Sequence, residues 1–105
     1  MEAFDGCRCN DGWEAWIDEM PPNRKVLHVN GSCTCQDGGH HLQLVKVTPQ
    51  GINPDILLLR IEDRPDSIVP HHVQSYELEY AEEGAAYRQV SIHPCDITLD
   101  VRIVS

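Results

Sequence analysis

The chain of 105 residues predicts a single all-β domain, a sandwich of two antiparallel sheets, on three observations. Turn-forming residues recur about every 8–12 positions, the spacing of sandwiches and barrels. Between them, apolar and polar residues alternate with a period of two, which sets one strand face on a core and the other in water. Hydrophobic residues make up 41% of the chain and charged ones 24%, enough apolar surface for a core and, at this length, for only one. The expected architecture covers residues 1–105, is immunoglobulin-like in size, and has six or seven strands with a short N-terminal helix or edge segment.

The first element is the exception to the period. Asp11-Gly12-Trp13-Glu14 has the form of a capping box, a carboxylate followed three residues on by Glu. Trp13, Trp16, Ile17 and Met20 then fall on one face of a helix, which Pro21-Pro22 ends. An edge strand is the alternative, because two helical turns are short and Trp favours strands. Either way the two Trp are expected to pack on the core.

Six strands follow, at 24–30, 40–48, 56–62, 73–80, 87–92 and 97–104. The breakers between them are Asn30-Gly31, Asp37-Gly38-Gly39, Pro49-Gln50-Gly51, Asn53-Pro54, Arg64-Pro65-Asp66, Pro70, Gly84 and Pro94. Tyr76, Leu78 and Tyr80 alternate with Ser75, Glu77 and Glu79, and Ile97, Leu99, Val101 and Ile103 alternate with Thr98, Asp100 and Arg102. Ile56 to Ile61 is apolar on both faces, as in a central strand. The expected core is Val26, Leu42, Leu44, Leu57, Leu59, Ile61, Leu78, Val90, Ile92, Leu99, Val101 and Ile103. In the loop Pro49 to Pro54, Gly51 is expected at positive φ in a type II turn and Ile52 to tuck under the sandwich edge.

Charge bounds the function. Eight Lys and Arg against 17 Asp and Glu give 8 − 17 = −9, which argues against a nucleic-acid or anionic-membrane surface. The longest aliphatic run, Ile56-Leu57-Leu58-Leu59, is far short of a membrane helix, which needs ~20 residues. Met1-Glu2-Ala3-Phe4-Asp5 has neither a basic start nor an apolar stretch, so a cytoplasmic location is expected. Gly-x-Ser-x-Gly, His-Glu-x-x-His, phosphate-loop and dinucleotide spacings are missing. A non-catalytic binding or assembly module, contacting another protein or a second copy and using no cofactor, is the function class that remains.

The cysteines carry the competing reading. Cys7-Arg8-Cys9 and Cys33-Thr34-Cys35 each present two sulfurs to one face of an extended segment. Two such pairs facing one another make a tetrahedral thiolate site suited to zinc, with His40 or His41 able to replace one thiolate. Buried packing of free thiols and oxidation are the alternatives, with Cys95 as the odd thiol left over. A weaker third reading is a thiol-dependent enzyme using Cys33 or Cys95 beside an imidazole. The six His, His28, His40, His41, His71, His72 and His93, otherwise suit solvated strand ends.

Overall fold

A computed structural model of the chain describes residues 7–19, 25–36, 41–63, 73–93 and 95–104. Met20, His40, His71, His72, the Pro21-Pro22 stop and the expected turns at 37–39, 64–66, 70 and 94 lie outside them. The described residues form nine strands and no helix: β1 Cys7–Cys9, β2 Glu14–Asp18, β3 Val26–Cys35, β4 Leu42–Lys46, β5 Ile56–Asp63, β6 Gln74–Glu83, β7 Gln89–His93, β8 Ile97–Asp100 and β9 Arg102–Val104. They make two packed sheets, a β-sandwich.

In the first sheet β3 is the spine. β6 pairs along one side of it from Val26↔Glu83 to Cys35↔Gln74. β1 and β2 share its other side, and β9 lies beyond β2. The second sheet runs β4-β5-β7-β8, so the doubly apolar β5 is an interior strand, as its sequence predicts. Leu57 and Leu59 are fully buried there, on the same face as Ile61.

Five of the seven strand pairs are antiparallel; β2–β9 and β5–β7 are parallel. The chain visits the first sheet as β6 between β5 and β7, and so returns to β5 in the same direction. The expected strand 97–104 is two strands. It pairs with β7 as far as Asp100, turns at Val101, whose N–H donates to the Arg88 carbonyl at 2.9 Å, and joins the first sheet as β9.

The expected N-terminal helix is a strand. β2 buries Ala15 and Ile17 and turns Glu14, Trp16 and Asp18 outward, and it lies between β3 and β9 rather than at an edge. Pairing with β3 along its whole length and with β9 from Trp16 to Asp18 gives this segment backbone partners beyond those of two isolated helical turns. The Asp11-Gly12 signal belongs to a bulge. Cys9 faces Cys33 and Glu14 faces Asn30, so five steps on one strand span three on the other, and 5 − 3 leaves two extra residues. Gly12 takes φ +94° there.

Asn30-Gly31, expected as a turn, lies inside β3. Gly31 points inward, and a Cβ at that position would overlap the Trp13 indole. The glycine leaves room for an aromatic ring, a known remedy for glycine in a sheet. Trp13 is buried, whereas Trp16 is half-exposed on the outer face.

The core joins Trp13, Ala15, Ile17, Leu27, Val29, Cys33, Leu44, Leu57, Leu59, Ile61, Leu78, Ala85, Val90 and Ile92. Leu42, Leu99 and Val101 pack against it half-buried. Two expected core residues differ. Val26 points outward, because Leu27 and Val29 take the inward positions of β3. Ile103 is 58% exposed, on a three-residue edge strand beside an open groove with Ile17 and Tyr87. The Pro49–Pro54 loop also departs from expectation. Gly51 is not among the positive-φ residues, and Ile52 is fully exposed at 101%. The loop is held by Gln50, whose side chain accepts from Leu58 N–H at 2.9 Å and donates to its carbonyl at 3.1 Å, acting as one more strand residue beside β5.

A polar cluster links β4 and β6 along one flank. The Tyr80 hydroxyl donates to Glu82 at 2.7 Å, the Tyr87 hydroxyl donates to it at 3.2 Å, and the Lys46 ammonium lies 3.4 Å away. Burial, then the bond to Glu82, pushes the Tyr80 hydroxyl above its ordinary range.

Candidate functional site

The two Cys-x-Cys pairs meet. Register sets Cys7 opposite Cys35 and Cys9 opposite Cys33, with the sulfurs on the inward face. Cys33 and Cys35 are fully buried. Asn10 fixes this end of the sheet: its backbone N–H donates to the Ser32 carbonyl at 2.9 Å, and its side-chain amide bonds Ser32 and Thr34 at 3.0 Å each.

Four of the five cysteines are bonded. Cys7 is joined to Cys35 across β1 and β3, with Cα atoms 4.0 Å apart. Cys9 is joined to Cys95, which follows β7, so this bond ties the first sheet to the second. The odd thiol is Cys33, not Cys95. Its Sγ lies 3.7 Å from that of Cys9. Burial pushes the Cys33 thiol up to about 11, the reverse of an activated nucleophile.

His41 is not grouped with these cysteines as a metal-holding set. It precedes β4 at the edge of the second sheet, and its backbone N–H donates to the Asp63 carboxylate at 3.2 Å. Among the described residues no three His, Cys, Asp or Glu side chains are grouped to hold a metal. No helix among them is long and apolar enough to cross a membrane.

The second notable surface is the outer face of the first sheet, where sequence reasoning placed no site. Trp16 and His28 are register partners on β2 and β3, and their rings stack at 5.2 Å and 23°. Both are half-exposed. Glu14 and Asp18 share that face from β2, and Glu77, Glu79 and Glu83 share it from β6. Arg102 reaches Glu14 at 2.9 Å. The alternation of β6 marks its carboxylates as outward; the helical reading of 13–20 concealed that Trp16 faces the same way.

Set against known protein families, curated proteins and solved structures, the chain matches none of them.

Proposed function

We propose that this domain is a non-catalytic binding module that docks a basic segment of another protein on the outer face of the first sheet. Trp16 carries the reading: a half-exposed indole on a sheet face, flanked by a stacked imidazole, is the residue type that anchors interfaces. Five carboxylates share its face with Arg8 and Arg102. An indole and carboxylates together favour Arg or Lys, through cation–π contact and charge. A second copy brings its own −9, which opposes self-association through this surface.

Calorimetric titration with an oligo-arginine peptide at low salt tests the reading, with poly-glutamate as control. The expected result is binding that weakens about tenfold in Trp16→Ala and in Glu79→Lys, ~1.4 kcal/mol each. Glu62→Lys, on the outer face of the opposite sheet, is expected to leave it intact. Equal weakening by Glu62→Lys would reduce the binding to unspecific charge attraction and overturn the proposal.

A second reading rests on the register of the cysteines. Reduced, Cys7, Cys9, Cys33 and Cys35 are four inward thiols at one end of one sheet. The 3.7 Å between the Cys9 and Cys33 sulfurs matches the edge of a zinc–thiolate tetrahedron, about 3.8 Å for bonds of ~2.3 Å. Metal analysis of protein purified under reducing conditions without chelator decides it: stoichiometric zinc, lost in Cys9→Ser, supports the reading, and metal-free protein dismisses it. A cytoplasmic setting is part of the main proposal. Disulfides there are transient and redox-sensing, whereas an oxidising compartment holds them permanently. Thiol labelling of protein taken directly from its native compartment separates the two.

A further inference from the structure

Cys9 has two partners within reach, and only one is bonded. Across the sandwich it is joined to Cys95; across the strand pair it faces Cys33, with the sulfurs 3.7 Å apart. The Asn10 N–H bond to Ser32 makes Asn10↔Ser32 a hydrogen-bonded pair, so its neighbour Cys9↔Cys33 is a non-hydrogen-bonded one. Cys7↔Cys35, two residues further along the same ladder, is a site of the same kind and already carries a disulfide. Close side chains at such sites permit a cross-strand bond without moving the backbone.

We propose that Cys9, Cys33 and Cys95 form an internal disulfide switch, in which the bond from Cys9 passes between the inter-sheet partner Cys95 and the cross-strand partner Cys33. The Cys33 thiol gives its proton to water, and the thiolate attacks Cys9 Sγ. The Cys9–Cys33 bond forms, the Cys9–Cys95 bond breaks, and its electron pair leaves on Cys95 Sγ, which then takes up a proton. One thiol and one disulfide enter and one of each leaves, so no outside oxidant or reductant is consumed. Proximity replaces an encounter between molecules, while the buried setting keeps the step slow, in the range of minutes to hours for uncatalysed rearrangement. The outcome is mechanical and chemical: the covalent tie between the sheets is released, and the odd thiol moves from buried Cys33 to half-buried Cys95.

The oxidised protein, incubated without added thiol, is trapped with iodoacetamide at intervals over a day and mapped by non-reducing peptide mass spectrometry. The expected result is carboxamidomethyl-Cys95 accumulating together with a Cys9–Cys33 linked peptide, while Cys7–Cys35 persists and Cys33→Ser shows neither product. Cys95 labelling no higher than in Cys33→Ser overturns the switch. Cys95→Ser supplies an independent arm. Oxidised in glutathione buffer, it is expected to contain both Cys7–Cys35 and Cys9–Cys33 bonds; Cys9 and Cys33 both recovered as alkylated thiols beside an intact Cys7–Cys35 bond overturn the proposal as well.

Discussion

Replacing Gly31 by alanine tests the packing at the centre of the first sheet. Elsewhere in a strand the change stabilises by ~0.5–1 kcal/mol, since alanine has less backbone freedom to lose. Gly31 has no positive φ to set against that gain. The Trp13 indole, however, occupies the space of the new methyl group. If the ring shifts within the core, overpacking costs ~1–3 kcal/mol. If it is expelled, an indole burying ~200 Å² at ~25 cal/mol per Å² loses about 5 kcal/mol. The overlap is with three ring atoms, which puts a shift in the upper part of the overpacking range, about 2–3 kcal/mol, so with the backbone gain subtracted Gly31→Ala is expected to lower stability by ~1–4.5 kcal/mol. At ~4–8 °C per kcal/mol, the thermal midpoint falls by roughly 4 °C at the least. Calorimetry measures the fall, and emission in a Trp16→Phe background reports whether Trp13 has become wet. Adding Trp13→Leu is expected to recover part of the Gly31→Ala loss, because the clash needs both partners. A Gly31→Ala protein with an unchanged or raised midpoint would refute the reasoning.

Three other expectations follow from the same geometry. Removing the Cys7–Cys35 bond in a Cys7→Ser/Cys35→Ser protein opens a loop of separation 28 and is expected to cost ~3–4 kcal/mol by urea unfolding, a difference that should vanish in reductant. The Cys33 thiol, raised from 9.0 to about 11 on folding, adds stability that is complete below pH 9 and lost as pH rises to about 11. Cys33→Ala should therefore flatten the fall of the thermal midpoint across that window, and an identical slope in the two proteins counts against a desolvated thiol. Ile52→Ser, at a fully exposed position, is expected to leave the unfolding free energy within ~0.5 kcal/mol of the parent in a urea titration, whereas a loss of about 1–3 kcal/mol, that of a buried side chain, would mean that the loop tucks.

Local pattern carried the all-β class, the central role of β5 and the outward carboxylates of β6, because a period of two is written in near neighbours and survives whatever the strand pairs with. The acidic charge is equally a property of composition. Other features depended on residues far apart in the chain. The 13–20 segment satisfies both a helical and a strand spacing, and flanking by β3 and β9 chose the strand. Asn30-Gly31 is a good turn by itself; the Trp13 ring above it made it the middle of a ten-residue strand. Ile103 alternates correctly, yet the crossing at Val101 carries it to a short exposed edge. The sequence shows two Cys-x-Cys pairs and a fifth cysteine, but which sulfurs meet is a matter of register between β1 and β3 and of how the sheets face. Those distances exist only after the chain has folded, and they, not the spacing, left Cys33 as the free thiol beside a bonded Cys9.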